Sequence, residues 1–161
     1  MKYTTIKQVQ QKQREEKDLY VFKHQWLWCV VKRHMWHLNW YVALPEWSPY
    51  IWMNHDYWID EEDLPNYKED YLKRVNAINE IRVHGWLTFG WEIANVSIEG
   101  IDLSFCFGFD TAHCGDFYLS WIGGLDDIHE KELWDTKDYR DAEYVIEETK
   151  KLAKQIKDLP T

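Results

Sequence analysis

Cysteine pairs, surplus positive charge and long apolar runs are all scarce in this sequence, and each shortage excludes a class of protein. Three cysteines in 161 residues, Cys29, Cys106 and Cys114, form no Cys-x-x-Cys pair and leave an odd count. That argues against a disulfide framework and predicts a reducing compartment. Lys and Arg number 19 against 28 Asp and Glu, a net charge of −9. Phosphate recognition needs clustered Lys and Arg, so no direct nucleic-acid binding is expected. The longest apolar stretches are broken by Lys, Arg, His or Asn within a few residues. They fall short of the roughly 20 apolar residues of a membrane span, and no membrane contact is expected. No apolar h-region follows Met1, which predicts a cytoplasmic protein. No Walker A, Gly-x-Gly-x-x-Gly, Gly-x-Ser-x-Gly or His-Glu-x-x-His signature is present.

What the chain has in abundance is aromatic residues, with eleven Trp and ten Tyr. Rings of that kind build a core whose N–H and O–H groups need partners, or they line a binding surface. With 45% hydrophobic and 29% charged residues the composition is that of an ordinary soluble domain. A single globular domain over 1–161 is expected, with 1–18 as a helical arm. Acidity is uneven. Seven acidic residues lie between Asp56 and Asp70 against the single Lys68. Asp60, Glu61, Glu62 and Asp63 within that run form a candidate face for a basic partner protein, or a solvated loop that aids solubility.

Hydrophobic patterning predicts an α+β fold, a mainly antiparallel sheet with an N-terminal helix and a long C-terminal helix. Residues 3–18 read as a weakly amphipathic helix whose only aliphatic positions are Ile6 and Val9. Residues 19–31 read as one strand, Lys32-Arg33-His34 as the break, and 35–43 as a second strand. Pro45 and Pro49 then open a long loop over 46–70, packed by Trp47, Tyr50, Trp52, Tyr57 and Trp58. A short helix over 68–77 is followed by strands over 78–89, 91–98 and 103–110, with the turn between the last two at Gly100-Ile101-Asp102. A loop spans 111–124. The last helix, about 137–157, carries Ala142, Val145, Ile146, Thr149, Leu152, Ala153 and Ile156 on one face.

Two clusters concentrate the residues that handle protons and ligands: His84-Gly85-Trp86-Leu87-Thr88, and Gly108-Phe109-Asp110-Thr111-Ala112-His113-Cys114-Gly115-Asp116. Asp110, His113 and Asp116 follow a buried strand at i, i+3 and i+6, with Gly108 and Gly115 permitting tight backbone. If the two segments are neighbours, His84, Asp110, His113 and Asp116 converge. Two imidazoles and two carboxylates suit a divalent metal such as Zn, Mn or Fe, with Asp110, His113 and Asp116 as ligands. The same four suit general acid–base work, a carboxylate fixing the His tautomer. They equally suit a structural role, because Asp at a strand end caps the following turn. Thr88, Trp86 and Cys114 complete the ligand-facing set. Cys114 beside His113 is not thereby a nucleophile, since strand neighbours point apart.

Asn39-Trp40-Tyr41-Val42-Ala43-Leu44-Pro45-Glu46 resembles a Gly-Tyr-Val-x-Val-Pro opening strand, and Val83 to Phe89 resembles Val-His-Gly-Gly-Leu-Thr-Tyr. Phe107 to Asp116 resembles Ile-Gly-Phe-Asp-Cys-Ala-His-x-Gly-Asp. Tyr139 to Val145, with Leu152-Ala153-Lys154-Gln155 following, resembles the closing helix of the same group. Together these are similar to a group of small proteins carried by tailed bacteriophages and prophages, over roughly residues 39–157. The chain departs from the pattern at Trp86, where the second Gly is expected, and a ring there narrows any cleft beside His84. The resemblance implies a phage origin and a role inside the infected cell, and supplies no reaction.

The leading expectation is therefore a phage accessory or counter-defence protein that binds a host immune component, for example a CRISPR inhibitor. A metal-assisted phosphoesterase or nucleotide hydrolase using His84, Asp110, His113 and Asp116, with Thr88 orienting the substrate, is the alternative. A protein that sequesters a small nucleotide by aromatic stacking is the third.

Overall fold

The computed structural model describes residues 2–34, 37–51, 53, 62–90, 97–111, 116 and 138–161. The fold is α+β. Helix α1 (Ile6–Glu15) leads into strands β1 (Leu19–His24), β2 (Leu27–His34) and β3 (His37–Ala43). Helix α2 (Glu69–Asn79) follows, then the short strands β4 (Phe89–Gly90), β5 (Ser97–Ile98) and β6 (Ile101–Asp102). Strand β7 (Cys106–Asp110) and helix α3 (Ala142–Lys157) complete the elements. Five strands form one antiparallel sheet in the order β1-β2-β3-β7-β4, while β5 and β6 pair as a separate hairpin.

Strand alternation sorts the sheet into two faces. Cys29, Val31, Leu38, Trp40, Val42, Phe107 and Phe109 point to one side. There they pack on α3 through Val145, Leu152, Ala153 and Ile156, and on α2 through Val75 and Ile78. Val30, Ala43 and Cys106 point to the other, where Ile98, Ile101 and Leu103 cover them. Gly108 sits opposite Tyr41, where a Cβ would lie 2.3 Å from the Trp40 carbonyl oxygen, so no side chain fits.

Helix α1 begins with a reciprocal cap: Gln8 N–H donates to the Thr5 hydroxyl, and Thr5 N–H donates to the Gln8 side chain. Ile6 and Val9 are its buried positions. Both ends of this segment are tied to the start of α3. Lys2 and Tyr3 donate to Asp141, while Glu16 accepts from Ala142 N–H and Tyr139 Oη.

Several boundaries differ from the sequence expectation. Residues 19–31 are not one strand: β1 and β2 meet at a two-residue turn, Gln25-Trp26, both with positive φ. Such turns usually carry Asn, Asp or Gly, and here none is present to mark the break. Lys32-Arg33-His34 lies inside β2, and His34 pairs with His37. Residues 78–89 are not a strand either. Helix α2 runs to Asn79, and a turn with positive φ at Gly85 and Trp86 interrupts the segment before β4. The β5–β6 turn is at Glu99-Gly100, one residue earlier than expected. Helix α3 starts at Ala142 because the Asp141 carboxylate caps it, accepting from Tyr144 N–H at 2.9 Å. In the 46–70 segment Tyr50 is buried, whereas Trp47 is exposed; Trp52, Tyr57 and Trp58 lie outside the described residues.

Candidate functional site

The site is organised by a loop that α3 holds in place. Arg82 N–H donates to the Gln155 side-chain oxygen at 2.8 Å, and the Gln155 amide donates back to Arg82 O at 2.9 Å. Two residues on, His84 N–H donates to Glu148 Oε2 at 3.0 Å. Glu148 is buried within the apolar stripe of α3, between Val145 and Leu152. Its other oxygen accepts from Lys151. Trp86 N–H then donates to Val83 O and closes the turn.

The loop places the His84 imidazole between a phenol and a carboxylate. Asp116, only 2% exposed, accepts at Oδ2 from His84 Nε2 at 2.7 Å and at Oδ1 from Arg140 Nε at 3.0 Å. Tyr144 Oη lies 3.0 Å from His84 Nδ1. Burial, reinforced by the Glu148 charge, pushes the Tyr144 hydroxyl up from its ordinary value, so the phenol keeps its proton and donates. In the neutral imidazole Nδ1 then accepts and the Nε2–H faces Asp116, a tautomer assigned from this network. The Arg140 guanidinium lies 4.8 Å from the Tyr144 ring centroid. Asp116 also forms an isolated parallel β-bridge with Asp138, two residues before Arg140.

Two buried polar atoms in this region have no partner among the described residues: Trp40 Nε1, whose ring lies 6.4 Å from the His84 imidazole, and Thr88 Oγ1. Thr88 N–H donates to Gly108 O, which makes the His84 segment and the Gly-Phe-Asp stretch neighbours.

No family model, curated protein or solved structure matches the chain.

Of the residues singled out from sequence, His84 and Asp116 meet. Asp110 does not join them. It is registered opposite Asn39 and, by alternation, faces away from Phe109 and Trp40, with its charge felt by His37 and Tyr41. His113 and Cys114 lie outside the described residues, as do Asp60 and Glu61; Glu62 and Asp63 are exposed. Among the described residues no three His, Cys, Asp or Glu side chains converge as a metal ion would require. Cys29 and Cys106 are buried, and burial pushes both thiols up to about 12, far from nucleophilic character. Arg140, Tyr144 and Glu148 were missed. For Glu148 the signal was present: a carboxylate at a position that the i, i+3, i+4 pattern reserves for the core.

Trp86 is the other product of this loop. It is 64% exposed and has φ of +73°. The Arg82 guanidinium lies 5.0 Å from its ring centroid. At this position the chain holds an indole out into solvent on a left-handed backbone.

Proposed function

We propose that this chain is a binding protein: a phage-encoded accessory factor that acts in the cytoplasm of the infected cell on a basic protein of the host's defence machinery, of which a CRISPR effector is an example. The motif resemblance supports the setting, and the surface chemistry supports the mode. The observation that carries it is Trp86. An L-residue in the left-handed region costs about 1–2 kcal/mol. A bulky ring there is an outlier of the kind that collects at clamps and recognition sites. The loop that bears it is fixed at Arg82 and His84 by side chains of α3, so the indole is pre-positioned rather than merely exposed. Preorganised Trp and Arg are the residues that dominate binding energy at interfaces, and Arg82 stacks beside this one. Net charge of −9 favours a basic partner over nucleic acid.

Trp86→Gly separates function from folding. It restores the residue the motif expects and removes the left-handed penalty. Retention of the host partner by immobilised protein should fall by about tenfold or more, while the thermal midpoint stays level or rises. Undiminished retention by Trp86→Gly would refute the proposal.

The phenol–imidazole–carboxylate array favours a second role, acid–base chemistry on a small phosphoester or nucleotide. His84 would move the proton, Arg140 would face the anion, and Trp40 Nε1 and Thr88 Oγ1 would supply unused hydrogen-bonding capacity. That role requires turnover that His84→Asn abolishes and Trp86→Gly spares.

A further inference from the structure

The β1–β2 turn repeats the Trp86 arrangement at a different place in the fold. Trp26 has φ of +69° and is 89% exposed, and its neighbour Gln25 is left-handed as well. Trp28, two residues on, is 41% exposed. These rings flank a groove of about 250 Å³. Its other wall is Gly100 with Ile101 and Asp102 of β6, and Glu46 lies along it. Trp47, also exposed, sits on the Pro45–Ser48 turn that carries Glu46. At Gly100 the space is open, with nothing within 4 Å of where a Cβ would stand.

Asp102 is built to stay charged in this groove. One of its oxygens accepts both Ser104 N–H at 2.8 Å and the Ser104 hydroxyl at 2.6 Å. Those two bonds hold its pKa below the ordinary carboxylate value. The second oxygen makes no hydrogen bond among the described residues. The chain also shows what its own indoles accept: the Lys23 ammonium lies 4.5 Å from the Trp28 ring centroid.

We propose that this groove binds an arginine side chain of a basic partner protein. A guanidinium is planar and weakly hydrated, so it stacks on an indole face while its N–H fork meets a carboxylate. Trp26 supplies the open face, and Asp102 and Glu46 supply the charge. The groove is smaller than the roughly 300–1,000 Å³ of ordinary small-molecule pockets and suits one inserted side chain. Carboxylates on two sides repel a nucleotide's phosphates, which argues against base stacking at the same rings. The inference rests on the binding role proposed above but on a separate surface.

The test uses the full chain and an Arg-Gly repeat peptide, followed by the indole N–H resonances. The arginine peptide should shift the signals of Trp26 and Trp28. The same peptide with citrulline, isosteric but uncharged, or with lysine should bind at least about tenfold more weakly. Asp102→Asn and Trp26→Gly should each weaken the arginine peptide by about tenfold, and Glu80→Lys, exposed and outside the groove, should have little effect. Citrulline or lysine matching arginine would overturn the inference. So would Asp102→Asn binding normally, or adenosine monophosphate shifting the indoles better than the peptide does. Loss of the host partner in Trp86→Gly together with a failed peptide test leaves the binding role standing and removes only this groove. Arginine binding in a protein that retains no host partner does the reverse.

Discussion

Two regions of this molecule use their residues in opposite ways. Around the start of α3, buried charged groups are paired: Glu16 with Arg33, Asp141 with Lys2 and Tyr3, Asp116 with His84 and Arg140. At the β1–β2 turn and the Val83–Trp86 turn, large apolar rings are left in water on strained backbone. Polar groups inside and tryptophans outside invert the usual partition. The buried region is costly to perturb because each charge depends on its partner. The exposed region is cheap to perturb, because its rings support little of the fold. Substitutions in the first should therefore register as lost stability, and substitutions in the second as lost binding.

The sharpest way to break the first half of that contrast is Glu16→Ala. Glu16 accepts from Arg33 Nη2 at 2.7 Å, Tyr139 Oη at 2.8 Å and Ala142 N–H at 2.8 Å, and both Glu16 and Arg33 are largely buried. Removing one partner of a buried pair leaves the other charge uncompensated and costs about 3–5 kcal/mol. The loss should appear as a lower urea midpoint with an unchanged slope. Glu16→Leu combined with Arg33→Met should recover part of it, because no orphaned charge remains. A Glu16→Ala protein as stable as the parent would show that the buried cluster contributes little to the fold.

Asp141 should come next. Burial acts to raise its pKa, but the Lys2 ammonium, the Tyr3 hydroxyl and Tyr144 N–H together hold it below the ordinary carboxylate value. A depressed folded pKa stabilises the native state above the unfolded pKa of about 3.9, and that contribution fades as pH falls through the lower folded value. Stability should thus fall in acid from about pH 4 downward. Asp141→Asn should flatten part of that fall, and Asp141→Ala should cost about 1–2 kcal/mol at neutral pH through the lost helix cap. An acid profile identical in Asp141→Asn would assign the fall to other carboxylates.

How much was legible beforehand follows the same division. The α+β class and the inward face of α3 were readable, because Val145, Leu152, Ala153 and Ile156 repeat at helical spacing and the strands alternate. The meeting of His84 with Asp116 was readable from the clustering of His, Asp and Gly. Glu148 was marked only by a carboxylate in the apolar stripe, and Tyr144 not at all, because their partners exist only once α3 is laid beside the 82–86 loop. The direction in which Asp110 faces was not readable for want of a register: one residue along β7 exchanges the Phe109 face for the opposite one. The Gln25-Trp26 and Gly85-Trp86 turns were hidden for another reason. Tryptophan in a left-handed position goes against local propensity, so a scan for turn residues passes over it.

That conflict yields the smallest and most discriminating prediction. Gln25→Asn with Trp26→Gly gives the β1–β2 turn the residues its two positive φ values call for. Relief of the left-handed cost, about 1–2 kcal/mol per residue, is offset in part by the roughly 0.5–1 kcal/mol that glycine adds through unfolded-state entropy. The register Phe22↔Cys29 to His24↔Leu27 is unaffected by the change, and no core contact is lost with a ring that is 89% exposed. Stability should rise by about 0.5–1 kcal/mol, visible as a small upward shift in the thermal midpoint. In the same protein the arginine-peptide affinity should fall. A gain in stability accompanied by a loss of binding is the signature of a residue kept against the interests of the fold. If the variant is instead destabilised, the indole packs against the hairpin in a way that its exposure does not show, and the contrast between the two regions fails at its second half.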